Sequence, residues 1–266
     1  MLLHEIRLAM DLDEQMNEVH SLPASNGKAA RSSFDGVLHS QLHLVLQTRQ
    51  AQLLVRGRAE ENKPLIVGLL GFADRMRLIW QAAEEDDPFA DWFLLQVHDA
   101  MSVAEARIAA EIRQLKLQLR GTRTLEIAPA AVKEPFRMAL RFSTPYPYRA
   151  ARMLGDFDEM ACCAFTARQI GELNDEHCAN LVRGCARRVR AVFSTPSRFR
   201  RLGVMRSAAV EQQTIFKRAE ELMGAIPKDV LDCSRRAPLV PQIKGAGAQP
   251  LPPVSAAGTF DSMVFD

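Results

Sequence analysis

Signatures of catalysis are missing from this chain. It has no G-x-x-x-x-G-K-[ST] loop, no G-x-G-x-x-G after a strand pattern, no G-x-S-x-G elbow and no H-E-x-x-H pair, which removes the enzyme classes that those motifs mark. Its six histidines are scattered, and an enzyme is not expected. No apolar run reaches the length of a membrane span, and no membrane partner is expected. Near the N-terminus, Glu5, Asp11 and Asp13 stand where a secretory signal needs a positive start and an apolar core, so a cytoplasmic protein is expected. Cysteine is sparse and unpaired in number: Cys162, Cys163, Cys178, Cys185 and Cys233 show no C-x-x-C knuckle. Cys162 and Cys163 are adjacent and would leave a helix in different directions, which makes a tetrahedral zinc site hard to build. Small buried thiols are the better account, and neither metal nor cofactor is expected. A net charge of only +2 means that any nucleic-acid affinity must come from a local patch.

What the chain does have is a stretch that changes period. Leu42, Leu44, Leu46 and Thr48 alternate with Gln41, His43, Val45 and Gln47, a strand over 41–48 with one apolar and one mainly polar face. From Gln50 onward Ala51, Leu54 and Val55 take helical spacing, and a longer helical pattern follows Pro64. Strand, short helix, longer helix is the order of a ribbon-helix-helix, in which the strands of two protomers pair into a ribbon that enters the major groove. A leucine-faced edge strand needs a partner, and a second copy would supply it. The two amides and the imidazole of Gln41, His43 and Gln47 can donate to and accept from base edges, although in most sheets such outer side chains meet only water. Arg49 and Lys63 are the nearby candidates for phosphate.

The remaining chain reads mostly helical. Residues 1–33 form an expected flexible arm. Leu65, Leu69, Ala73, Met76, Trp80 and Ala83 mark a helix that Lys63-Pro64 would open. Four acids, Glu84 to Asp87, end it; Asp87 suits the N-cap and Pro88 the first turn of the next helix better than either suits a metal. That helix runs from Pro88 to about Arg120, with Ala104, Ile108, Ile112, Leu115 and Leu119 as its stripe, which core packing explains better than a dimer seam. Phe136, Met138, Leu140 and Phe142 alternate with Arg137, Ala139 and Arg141, a half-buried strand with a basic outer face and with Leu125 and Ile127 as the expected hairpin partner. Ser143 to Tyr148 reads as a rigid turn presenting its tyrosines. Three helices follow, marked by Met153 to Phe165, Leu181 to Val192 and Val210 to Leu222, the last capped by Ser207 and closed by Gly224. From residue 233 to 266 the Pro, Gly, Ala and Ser content predicts a disordered tail.

Between Glu176 and Glu211 there is no acidic residue, yet Arg183, Arg187, Arg188, Arg190, Arg198, Arg200, Arg201 and Arg206 all fall there. Such a cluster draws phosphate or forms a solvated basic face. Arg183, Arg187, Arg188 and Arg190 are its candidate phosphate contacts.

Several stretches together resemble the AcaB-like transcriptional regulators, a group also known as integrating conjugative element proteins. They are Leu46 to Arg58, Gly68 to Arg75, Ile79 to Ala83 with Asp86 to Trp92, Phe142 to Tyr146, Asp156 to Asp158, and Arg235 to Pro238. The resemblance spans roughly residues 38 to 240. It implies a bacterial DNA-binding regulator with a ribbon-helix-helix element, carried on a mobile element and controlling genes for conjugative transfer. It also implies that Gln41, His43 and Gln47 occupy base-reading positions. The chain departs from small ribbon-helix-helix proteins in its long appended helical region and in the eight residues, Gly57 to Pro64, between its first two helices.

The expected fold is mostly α with a small β component (α+β). A ribbon-helix-helix-like element at 34–86 is followed by a helical region at 87–232 with a short antiparallel strand pair. The expected function is a homodimeric regulator of transfer genes on an integrative conjugative element or plasmid. It would bind double-stranded DNA and meet another regulator or the transcription machinery. The alternative is a structural or interaction protein of the conjugation apparatus without sequence-specific DNA binding.

Overall fold

The computed structural model describes residues 42–59, 65–120, 127–206 and 213–244. Among them run β1 (Leu42–Leu46), α1 (Arg49–Arg56), α2 (Leu69–Glu84), α3 (Pro88–Gln118), β2 (Phe136–Leu140), α4 (Pro145–Gln169), α5 (Asp175–Ser194), a 3-10 turn at Thr195–Arg198, α6 (Gln213–Met223) and the short α7 (Lys228–Leu231). The mostly helical α+β architecture is as the sequence predicts. The 1–33 arm, the Ser207 cap and residues 245–266 of the expected tail lie outside the described residues.

The alternation in β1 has its expected consequence. Leu44 and Leu46 are buried while His43 and Val45 are exposed. The strand's partner is a correction: β1 pairs antiparallel with β2 of the same chain, in the register His43↔Ala139 and Val45↔Arg137. Ile127 belongs to no strand, and Leu125 lies outside the described residues. A partner strand about 90 positions away (Leu46↔Phe136) satisfies the backbone of one β1 edge without a second copy.

Where β1 becomes α1, a carboxylate from α4 holds the chain. Asp158, 4% exposed, accepts from the Gln47 N–H at 2.6 Å, the Thr48 N–H at 2.8 Å and the Thr48 hydroxyl at 2.6 Å. Thr48 Oγ1 in turn accepts from the Ala51 N–H at 3.2 Å and so caps α1. Ala51, Leu54 and Val55 then face the core.

The α1–α2 connection depends on two glycines in contact. Gly57 ends α1 at φ +70°, a left-handed conformation that side chains rarely adopt. A Cβ there would collide with the Ile66 carbonyl oxygen, and one at Gly68 with the Gly57 nitrogen and the Val55 carbonyl. Paired hydrogen bonds between Arg58 and Ile66, 2.8 and 2.9 Å, close the connection. They keep Leu65 to Val67 out of the helix, so α2 starts at Leu69 and not at the expected Pro64 boundary; Leu65 is exposed.

Helices α2, α3, α4 and α5 pack on one another around a single core. Ala104, Ile108, Leu115 and Leu119 are buried, so the α3 stripe is core. The expected turn Ser143 to Tyr148 is instead the entry to α4, with Pro145 at the first helical position, where its missing N–H costs nothing. Tyr146 is buried and its hydroxyl donates to the Leu94 carbonyl at 3.4 Å. Cys162, Cys163, Cys178 and Cys185 are buried on α4 and α5; burial pushes the Cys162 thiol up to about 12.

A buried ion cluster fastens the late chain to α3. Asp91 is fully buried and receives Arg236 through two bonds, 2.9 and 2.8 Å, and Arg206 at 2.6 Å. Arg206 also reaches Asp86 at 2.5 Å and the carbonyls of Val230 and Leu231 at 3.0 Å. Lys244 pairs with Glu84 at 2.8 Å. Residues 233–244, expected to begin a disordered tail, are therefore packed on the body, because Arg236 supplies one of the two charges that compensate buried Asp91.

Two consequences for stability follow from these buried carboxylates. Asp158→Asn replaces one acceptor oxygen by a donor facing a donor, so it should cost about 1.5–3 kcal/mol in urea unfolding, the range for bonds to a charged group; a loss within ~0.5 kcal/mol, typical of surface changes, would show that the junction does not rely on this carboxylate. Asp87 caps α3 through the Phe89 and Ala90 N–H groups, but burial outweighs those bonds and raises its carboxyl from 3.8 to about 7. The folded chain thus binds a proton that the unfolded chain has lost above pH 3.8. Its stabilising contribution is full below that pH, declines as pH rises to about 7, and is flat beyond. Asp87→Asn keeps the capping oxygen without the charge. The stability of the variant relative to the wild type should therefore rise from pH 5 to pH 7 in urea unfolding, and a difference independent of pH would contradict the assignment.

Candidate nucleic-acid interface

An alternating strand presents every second residue to one side, so the β1–β2 register decides what the ribbon displays. Leu44↔Met138 and Leu46↔Phe136 face the body, and His43↔Ala139 and Val45↔Arg137 face outward. Arg141, one residue beyond β2, is exposed as well. The outer face is thus a two-stranded ribbon carrying an imidazole and arginine side chains. A two-stranded ribbon is one of the two backbone forms that the major groove admits.

The expected base-reading residues fare differently. His43 is exposed on this face. Gln47 lies beyond the end of β1 and is half-buried: its N–H is held by Asp158, and its Oε1 accepts from the Val132 N–H at 3.1 Å. Its NH2 group and the second lone pair of Oε1 are left for another partner. Gln41 lies outside the described residues.

Arg137 and Arg141 were not among the expected site residues. Their basic outer face was legible from the alternation Arg137-Met-Ala-Leu-Arg141, but nothing local in either strand says that β2 lies beside β1.

Among the expected phosphate contacts, Arg49 is exposed at the first position of α1, and Lys63 lies outside the described residues. Arg183, Arg187 and Arg188 are exposed on α5 and Arg190 is half-buried. Arg183 donates to the Ala179 carbonyl at 3.2 Å and to Asn180 Oδ1 at 2.8 Å. Among the described residues no carboxylate lies within ion-pair distance of these four α5 arginines.

The longer arginine series is not unopposed. Arg201 is paired with Glu85 at 2.5 Å, and Arg206 is consumed by Asp86 and Asp91. Arg200 donates to the Ser197 and Phe199 carbonyls at 2.8 Å. Arg198 and Arg200 are exposed and have no ion-pair partner among the described residues, so the positive face is that of α5 and the turn that follows it. β1 rests on α4, whereas α5 packs against α1, α2, α3 and α4. Among the described residues no group of three or more His, Cys, Asp or Glu is placed to hold a metal ion, and no helix is long and apolar enough to cross a membrane.

Comparison with known proteins places this architecture. The family described as "Transcriptional regulator AcaB" matches residues 35–244. Among solved structures, the crystal structure of selenomethionine-containing AcaB from uropathogenic E. coli is similar, with a TM-score of 0.50 at 13% identity over 73% of this chain and 95% of that one. At that identity the likeness is one of fold. No curated protein matches the chain in sequence. With a match over most of its length, the chain belongs to the AcaB family of transcriptional regulators.

Proposed function

We propose that the chain regulates transcription by binding duplex DNA, with the outer face of the β1–β2 ribbon as its reading surface and the α5 arginines as a phosphate-facing surface. The observation that carries this reading is the register that sets His43 and Val45 beside Ala139 and Arg137 on one exposed face. Arginine reads guanine O6 and N7, and a base edge offers partners to an imidazole. Arg183, Arg187 and Arg188 supply charge without base discrimination, which suits the backbone. Among the described residues β2 is the only strand paired with β1, and a homodimer would form through the other β1 edge, since an unpaired edge is a template for another strand. Genes for conjugative transfer on a mobile element, read in the cytoplasm, are the proposed targets, on the resemblance of the quoted stretches.

Binding of variants to a specific and a random duplex over a salt series tests the division of labour. His43→Ala and Arg137→Ala should each cost about 1–3 kcal/mol on the specific site and little on random DNA. Arg187→Ala with Arg188→Ala should weaken both alike and lower the salt slope by about one unit for each phosphate no longer neutralised. Ribbon variants that keep wild-type preference would remove the ribbon as the reading surface.

A further inference from the structure

The ribbon is covered unevenly. The body-facing residues Leu44 and Leu46 of β1 are buried, but Phe136, Met138 and Leu140, which face the same way on β2, are only half-buried. β2 is also an edge: among the described residues β1 is its only partner strand, and no other backbone bond reaches residues 136–140. An open edge beside a partly covered apolar row is a template for one more strand. On the outer face β2 carries Arg137, and Arg141 follows it. Both are exposed, and no carboxylate lies within ion-pair distance of either among the described residues. A strand that fits here is apolar towards the body and acidic where it meets the arginines.

The sequence holds such a segment. Thr259-Phe-Asp-Ser-Met-Val-Phe-Asp266 has two acids, no base, and a valine and two phenylalanines that favour strands. In an extended conformation Phe260, Ser262 and Val264 fall on one side, as a continuation of the row from Phe136 to Leu140, and Asp261 falls on the other, with the arginines. Opposite charges on neighbouring strands attract and like charges repel, which favours this segment over Arg120 to Glu126, where two arginines accompany one acid. The connection is also long enough. Lys244 is fixed to Glu84 through its N–H and its ammonium, each at 2.8 Å, and lines a cavity with Ser143 and Thr144, just beyond β2. From there residues 245–259, none of them charged, can span up to about 50 Å. The five residues of β2 extend over only about 17 Å.

We infer that residues 259–266 dock on the open edge of β2 in the same chain, with the apolar side of the segment against Phe136, Met138 and Leu140 and its carboxylates on Arg137 and Arg141. The consequence for function rests on the DNA-binding reading above. A docked segment occupies the arginine side of the reading face, so a specific duplex has to displace it before Arg137 can meet a base. The segment thereby lowers affinity for the specific site by the fraction of chains that are closed. Random DNA, held by the α5 arginines through charge alone, is little affected.

Two measurements on the full chain test this, comparing the wild type with Asp261→Asn plus Asp266→Asn and with Phe260→Ala plus Phe265→Ala. In the first, amide hydrogen exchange without DNA should be slow along residues 137–141 in the wild type and faster in both variants, with exchange in α3 and α4 unchanged. In the second, both variants should bind the specific duplex more tightly, by up to about tenfold where the closed state is about nine-tenths populated, with little change on random DNA. Equal exchange along 137–141 in all three proteins overturns the docking. Protection that appears only as protein concentration rises, and is lost in both variants, places the segment on the ribbon of a second copy and overturns docking within one chain. Faster exchange in the variants without tighter specific binding supports the docking and overturns its competition with DNA. If the wild type binds no duplex at all, the DNA reading fails, and exchange alone decides the docking.

Discussion

The carboxylate of Asp158 determines where the ribbon can point. It holds two consecutive backbone N–H groups and the capping hydroxyl of α1, so the end of β1, the start of α1 and the middle of α4 form one unit. A buried carboxylate is tolerated only when its oxygens are occupied, and here all the donors come from the junction between the strand and the first helix. Tilting the ribbon away from the body would strip them from it. The outward face of His43 and Arg137 is thus aimed by a residue of α4, more than 100 positions away from β1.

Two further constraints act in the same way. Gly57 against Gly68 brings the end of α1 to the start of α2 at a distance that no side chain allows. Asp91, buried between Arg206 and Arg236, draws the chain after α5 and the segment after α7 onto α3. Stretches Leu46 to Arg58 and Asp156 to Asp158 meet at the first constraint, and Asp86 to Trp92 and Arg235 to Pro238 at the last. Much of what marks the sequence as a member of its family is therefore the hardware that fixes the fold. The residues that the proposal places on DNA, His43 and Arg137 among them, lie outside those meeting points.

That division explains what could be read from the sequence. Leu44 and Leu46 announced β1 because period-2 alternation is local, and Ala104 to Leu119 announced the α3 core stripe for the same reason. The β1–β2 pairing could not be seen: both strands alternate, and alternation does not name a partner about 90 residues off. Leu65 fits the helical spacing of Leu69 and Ala73, and only the Arg58–Ile66 bridge, a tertiary feature, keeps it out of the helix. Pro145-Tyr-Pro-Tyr148 looked like a turn because prolines break helices, whereas at the first turn they are harmless. The arginines from 183 to 206 looked alike in sequence, yet Arg206 is neutralised by Asp86 and Asp91 and Arg201 by Glu85, all more than 100 residues upstream.

The central claim is that the reading surface is the outer face of a ribbon closed within one chain. Photo-crosslinking tests it most directly: a benzophenone-bearing amino acid is placed at position 45, opposite Arg137 on the outer face, and in a second protein at position 187 on α5, and each is irradiated on a bound duplex. The account predicts crosslinks from position 45 to bases within a short protected segment, and from position 187 to the backbone without sequence preference. Base crosslinks confined to position 187, with none from position 45, would contradict it.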